Sequence, residues 1–180
     1  MRKCFTIVEV LAVMIILGLL IVLTIPAYTS IFSGIKRSNL DSKITEIEAA
    51  AKKYGNSFKD DIKNADSSCM TIDIKTLIEK GQLVSDYDND AAIINPTDNT
   101  KLDGDIKLCY CTKSFDIEAY YTTEFNVNKV YHEGDVVVYK AKLYEPTRTF
   151  DKKALIRKDE KYKNYSDDQF IASFFKEVAC

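Results

Sequence analysis

The chain has 180 residues, 46% hydrophobic and 29% charged, with 25 Lys and Arg against 27 Asp and Glu, a formal net charge of −2. That balance gives no bulk electrostatic case for nucleic-acid binding. A single His, six scattered Gly and no Trp leave no material for a glycine-rich phosphate loop or a Trp sugar platform, and no Ser or Cys elbow accompanies His132.

Residues 5–25 run for 21 residues with one charge, Glu9, after Arg2 and Lys3. As a helix this is roughly 31 Å at 1.5 Å per residue, enough to cross a bilayer's hydrocarbon core. A cleavable secretory signal fits poorly, because Thr24-Ile25-Pro26-Ala27-Tyr28 offers no clean small-x-small site and leads straight into a periodic pattern. A lipoprotein signal fails because Cys4 precedes the apolar run. A plain anchor explains the length but not Glu9. A charge at the centre of a spanning helix costs about 2.5–3.5 kcal/mol, so a carboxylate there reads as functional. Gly18 weakens the helix and Pro26 removes one of its hydrogen bonds.

The helical pattern continues to Tyr54. Leu40, Ile44, Ile47, Ala51 and Tyr54 make one apolar stripe, while Lys43, Glu46, Glu48, Lys52 and Lys53 fill the other faces. The first half is therefore apolar all round and the second half is expected to seat its stripe on a head. Gly55-Asn56 is expected to end the helix.

Phe5-Thr6-Ile7-Val8-Glu9 followed by the apolar run, with Gly18 and Pro26 beyond, resembles the N-terminus of type IV pilins and pseudopilins over residues 3–54. The resemblance implies a leader over 1–4, a prepilin peptidase cut between Cys4 and Phe5, and methylation of the new Phe5 amine. It also implies Thr6 and Glu9 as assembly residues, with Glu9 pairing to the Phe5 amine of a neighbour. Gly18 and Pro26 would be points of helix flexibility. The implied partners are further copies of the chain or other pilins, the peptidase, an assembly platform and the membrane. The family has Gly before the cut, where this chain has Cys4.

Ser57 to Ser68 reads as polar loop, and residues 71–81 as a short helix with Thr71 or Asp73 at its start and Gly81 at its end. Residues 86–104 are turn-rich. Asp86, Asp88, Asn89 and Asp90 lack the EF-hand glycine and closing Glu, so a solvated turn is expected instead of a calcium loop. The Leu-Ile-x-x-Gly helix, the Asn-Pro-Thr loop and the strand after it also resemble the heads of Gram-positive pilins.

From Ile106 the pattern turns to strands over 106–112, 115–121, 125–131, 135–140 and 142–144, read as an antiparallel meander. Five Cys are present, and removing the leader with Cys4 leaves Cys69, Cys109, Cys111 and Cys180, which allow three connectivities. Cys109 and Cys111 share a strand face, so each is expected to reach out, one to Cys69 and the other to Cys180. A metal site on Cys109-Tyr110-Cys111 lacks zinc spacing and a nearby His, and none is expected. Residues 131–144 resemble the Y-x-x-G-D-x-V-x-Y…Y core of chitin-type carbohydrate-binding modules, with Lys140-Ala141 at their Asn-Gly-like turn. Tyr121, Tyr131, Tyr139 and Tyr144 are the ligand surface this implies. Ser166-Asp167-Asp168-Gln169 is a capping box opening a last helix, with Phe170, Ile171, Phe174, Phe175 and Val178 on one face.

The expected fold is α+β: a long N-terminal helix, half membrane-spanning (5–25) and half amphipathic, packed on an antiparallel β-sheet head (55–180) with a short C-terminal helix. The expected function is a filament subunit of a type IV pilus or pseudopilus, with no enzymatic activity, no cofactor and no nucleic-acid contact. Arg2 and Lys3 hold the N-terminus cytoplasmic and the head outside, although Lys36 and Arg37 reduce that asymmetry. The alternative is a membrane-anchored extracellular binding protein that does not polymerise.

Overall fold

A computed structural model describes residues 7–65, 67–88 and 90–178, without the side chains of 22–30. The protein is α+β, with five α-helices and one mixed six-stranded sheet among these residues. Helix α1, Ile7–Gly55, has 49 residues, about 74 Å at 1.5 Å per residue. Its backbone is helical through positions 18 and 26; the Pro26 side chain lies outside those described. Among the described residues no helix is long and apolar enough to cross a membrane. That differs from the span expected over 5–25, which begins and ends outside the side chains described. The described apolar stretch, residues 7–21, covers about 22 Å against a hydrocarbon core of about 30 Å.

Helix α1 does not stop at a left-handed glycine. Gly55 has φ −61° and leads into a 3₁₀ turn, Asn56–Phe58, and α2, Lys59–Asn64. Glycine is needed here for proximity: a Cβ would sit 3.1 Å from both Ile117 and Leu108 side-chain carbons. The polar loop expected over 57–68 is thus largely helical.

Strand β1, Cys69–Asp73, occupies the start of the expected 71–81 helix. Helix α3, Ile74–Glu79, begins only where Asp73 accepts the Thr76 N–H as its N-cap. Met70, Thr71 and Ile72 instead pair with Leu108, Lys107 and Ile106. Strands β2, Asp105–Cys111, and β3, Asp116–Glu124, form the expected hairpin. Strand β4, Val136–Tyr139, then pairs parallel to β3, Thr122 opposite Val136, so the sheet is mixed and not an antiparallel meander. A parallel neighbour requires the chain to return to the other end of the sheet. Residues 125–131, expected as a strand, supply that return, and Phe125, Val127 and Tyr131 turn inward to a second core.

Strand β5, Lys142–Pro146, follows a turn in which Lys140 (φ 48°) and Ala141 (φ 64°) are both left-handed. That geometry favours Asn-Gly. Here it is held from outside: Asp168 accepts from Lys140 Nζ at 2.6 Å and from the Tyr139 hydroxyl at 2.9 Å. Helix α4, Lys152–Lys158, is capped by Asp151. Helix α5, Asp167–Phe174, opens on the expected Ser166–Gln169 capping box. It ends before Phe175, which starts the edge strand β6, Phe175–Glu177, paired with β5.

Two apolar cores result. Ile47 and Ala51 of α1 meet Ile62, Leu77, Ile106, Leu108 and Ile117 in the first. The second is aromatic: Phe150 has ring contacts with Phe125, Tyr131, Phe170, Phe174 and Phe175 at centroid distances of 5.3–6.3 Å. Full burial of such side chains contributes about 1.5–3 kcal/mol each. Cys69 and Cys109, directly opposite in the β1–β2 ladder, are disulfide-bonded with Cα atoms 4.1 Å apart. Cys111 is disulfide-bonded as well; Cys180, expected to pair with one of the two strand cysteines, lies outside the described residues.

Candidate functional site

Two regions of the described residues stand apart from the cores. One is the first half of α1. Its apolar side chains are exposed: Ile7 at 81%, Ile15 at 58% and Ile21 at 59%. Glu9 sits in the first turn, where negative charge is favoured by the helix dipole by about 0.3–1 kcal/mol. Cys4, Phe5 and Thr6, the expected processing and assembly residues beside it, lie outside the described residues. A Cβ on Gly18 would meet no atom within 4 Å, so nothing within this chain crowds it.

The second half of α1 behaves differently on the same periodicity. Ile47 (1% exposed) and Ala51 (0%) are buried on the sheet, with Ile44 and Tyr54 partly buried beside them. Three of the flanking charges, Lys43, Glu48 and Lys52, reach across to the head. Lys52 Nζ lies 3.2 Å from both Asp116 and Glu118. Lys43 pairs with Asp86.

Glu48 answers a local need of the sheet. Strand β4 covers only the end of β3, from Thr122 onward, which leaves the preceding N–H of Tyr121 without a strand partner on that side. Glu48 Oε1 accepts it at 2.9 Å. Burial raises the Glu48 carboxyl above its ordinary value of 4.5, against the opposing pull of the Tyr121 N–H. Burial, together with the charges of Asp103 and Asp105, pushes the Tyr121 hydroxyl up to about 12. It donates to the Asp103 carbonyl oxygen at 3.1 Å.

The second region is a cleft of about 710 Å³ between α1, the loop over 95–103 and the turn over 129–136. Its α1 wall carries Arg37, Asp41, Ile44, Thr45 and Glu48, which helical spacing places on one side. Arg37 closes one end: its Nε lies 2.9 Å from Asp41 and its Nη2 is bound to Asp135. The other Asp135 oxygen accepts the His132 N–H at 2.7 Å. The opposite wall is stiffened by Asn95, which accepts from the Thr97 N–H and hydroxyl at 2.9 and 2.7 Å. Asp98 does the same for Thr100 at 3.0 and 2.7 Å.

Six carboxylates line this cleft against three cations, Arg37, Lys101 and Lys129. Arg37 and Lys101 are already held, Lys101 by Asp90. The cleft thus carries an excess of formal negative charge. Among the described residues no group of three or more His, Cys, Asp or Glu is placed to hold a metal ion.

Of the four tyrosines expected as a sugar-binding surface, three meet at the second core and Tyr121 lies apart from them. Tyr121 (9% exposed) belongs to the first core and Tyr131 (4%) to the second. Tyr139 and Tyr144 pack partly buried against the second core. The Tyr131 hydroxyl turns inward, accepting the Asn126 N–H at 2.7 Å. The buried rings of Tyr121 and Tyr131 serve core packing. The cleft residues were missed at the sequence level because their walls come from three separate segments. The one available signal was Glu48, a carboxylate immediately flanking the buried stripe. Comparison of the chain with protein-family models, with curated proteins and with solved structures finds no match.

Proposed function

We propose that the chain is a structural subunit of a type IV pilus or a related pseudopilus. One observation carries this reading: α1 is a single helix whose second half is seated on the sheet while its first half presents apolar side chains to no core of its own. Such a half needs lipid or other subunits to cover it. In this account residues 5–25 cross the membrane before processing and then pack against other copies in a filament, with the head outside. The prepilin peptidase cuts between Cys4 and Phe5, and Phe5 is methylated. Glu9 pairs with the Phe5 amine of a neighbour. In a poorly solvated environment such a pair depends strongly on geometry, which makes it suited to setting register.

The test is Glu9→Ala in the producing cell. The variant is expected to stay membrane-associated at the wild-type level and to be depleted from sheared filaments. Normal incorporation would remove Glu9 from the mechanism. Absence of the wild-type chain from any sheared fraction would sink the filament reading itself.

A further inference from the structure

The acidic cleft has a counterpart elsewhere in the chain. Residues 148–163, running through α4 and the 3₁₀ turn Glu160–Asn164, hold seven Lys and Arg against three Asp and Glu in a protein of net charge −2. Two of the three acids are occupied locally. Asp151 caps α4; Asp159 caps the 3₁₀ turn and pairs with Lys161 at 2.9 Å. Arg148 and Lys152 lie over the Phe174 and Phe170 rings, which orients their stems along the second core. Lys153, Arg157, Lys158 and Lys163 are exposed and form no ion pair among the described residues. Lys153 and Arg157, four apart in α4, share one face. Leu155 and Ile156 are partly buried, so the helix seats an apolar side and keeps this cationic side outward.

We propose that the basic face of α4 and the turn after it docks onto the acidic cleft of a second copy of this chain. The argument is charge complementarity. On the cleft side Asp103 and Glu133 are exposed carboxylates that form no ion pair among the described residues. Both line the cleft, Asp103 from the loop over 95–103 and Glu133 from the turn over 129–136. The two patches are different surfaces of one chain, so the head-to-tail contact is heterologous. Repeated, a heterologous contact generates an open helical array when its rotation does not close. The proposal rests on the filament reading and names a contact between the globular heads that supplements packing of the α1 first halves. Rim charges of this kind set register and partner orientation, and they weaken with salt.

The test is charge reversal in full-length chains expressed in cells, with limited proteolysis of each variant checked against wild type to show that the head is folded. Lys153→Glu with Arg157→Glu is expected to lower subunit recovered in sheared filaments about tenfold at unchanged membrane level, since like charges then face each other. Asp103→Lys with Glu133→Lys is expected to do the same. All four changes in one chain are expected to restore recovery to within about twofold of wild type, because the pairing is inverted and not removed. Either pair leaving recovery unchanged, or the fourfold variant failing to recover, overturns the docking while wild-type filaments keep the filament reading intact. Filaments of the Lys153→Glu, Arg157→Glu variant recovered at the wild-type level, but losing retention of single-stranded DNA, would also overturn it and assign the face to a polyanion. A wild-type chain yielding no filaments overturns both readings together.

Discussion

Ile47→Ala removes three carbons from a side chain that is 1% exposed where α1 meets the sheet. At about 0.8 kcal/mol per buried CH₂ the transfer loss is about 2.4 kcal/mol. The cavity left among Leu77, Ile106 and Leu108 adds to this, giving about 3–4 kcal/mol, within the range of about 2–5 seen for such truncations. The assay is urea unfolding of the detergent-solubilised full chain, followed by the fluorescence of its 11 Tyr in the absence of Trp. With a slope of about 2 kcal/mol per molar, the midpoint falls by about 1.5–2 M at unchanged slope. Ile15→Ala, on the same helix but at a side chain 58% exposed, is the matched control and shifts stability by no more than about 0.5 kcal/mol. Equal shifts for the two variants, or a loss below about 1 kcal/mol for Ile47→Ala, would refute the division of α1 into a seated and an unseated half.

Removing the Cys69–Cys109 bond by double Ser substitution opens a cross-link of sequence separation 40; the chain-entropy relation puts the cost at about 4 kcal/mol, read as a fall in the thermal midpoint of the non-reduced protein. Gly104→Ala places a Cβ 2.7 Å from the Tyr121 ring and 2.8 Å from the Thr122 carbonyl oxygen; the backbone atom does not yield, and a loss of about 1–3 kcal/mol is expected by denaturant titration. Glu48→Gln keeps an acceptor for the Tyr121 N–H but no charge. Because the folded pKa of Glu48 is raised above 4.5, the native state binds the extra proton between the two values. Wild-type stability from this group therefore falls as pH rises through that window. The variant is expected to be more stable than wild type at neutral pH, with the difference shrinking as pH drops towards about 4.5 and level below it. A difference that grows on acidification would contradict the assignment.

Local rules carried much of the fold. The 4-3-4-3 spacing from Leu40 to Tyr54 located the buried stripe, because burial follows helical period directly. The Ser166–Gln169 box marked the start of α5, since capping involves only neighbouring residues. The strand-face argument sent one of Cys109 and Cys111 to Cys69 without saying which; the bond is to Cys109. What escaped depends on distant pairing. Met70-Thr71-Ile72 reads as well for a helix as for a strand until β2 lies beside it. The Phe125–Tyr131 stretch has strand composition, yet its aromatics are used to fill a core while the backbone crosses over. Glu48 was one of several charges off the apolar stripe, and the uncovered N–H it serves arises only when β4 pairs parallel to part of β3. The cleft unites α1 with segments some fifty and ninety residues later, beyond the reach of periodicity.

The central claim, that this chain is processed and assembled through its N-terminal helix, is tested most directly by the intact mass of the chain recovered from sheared cell-surface material. The account predicts a mature protein that begins at Phe5 and carries one methyl group on its amine. A chain beginning at Met1, retained with the membrane and absent from the sheared fraction, would contradict it.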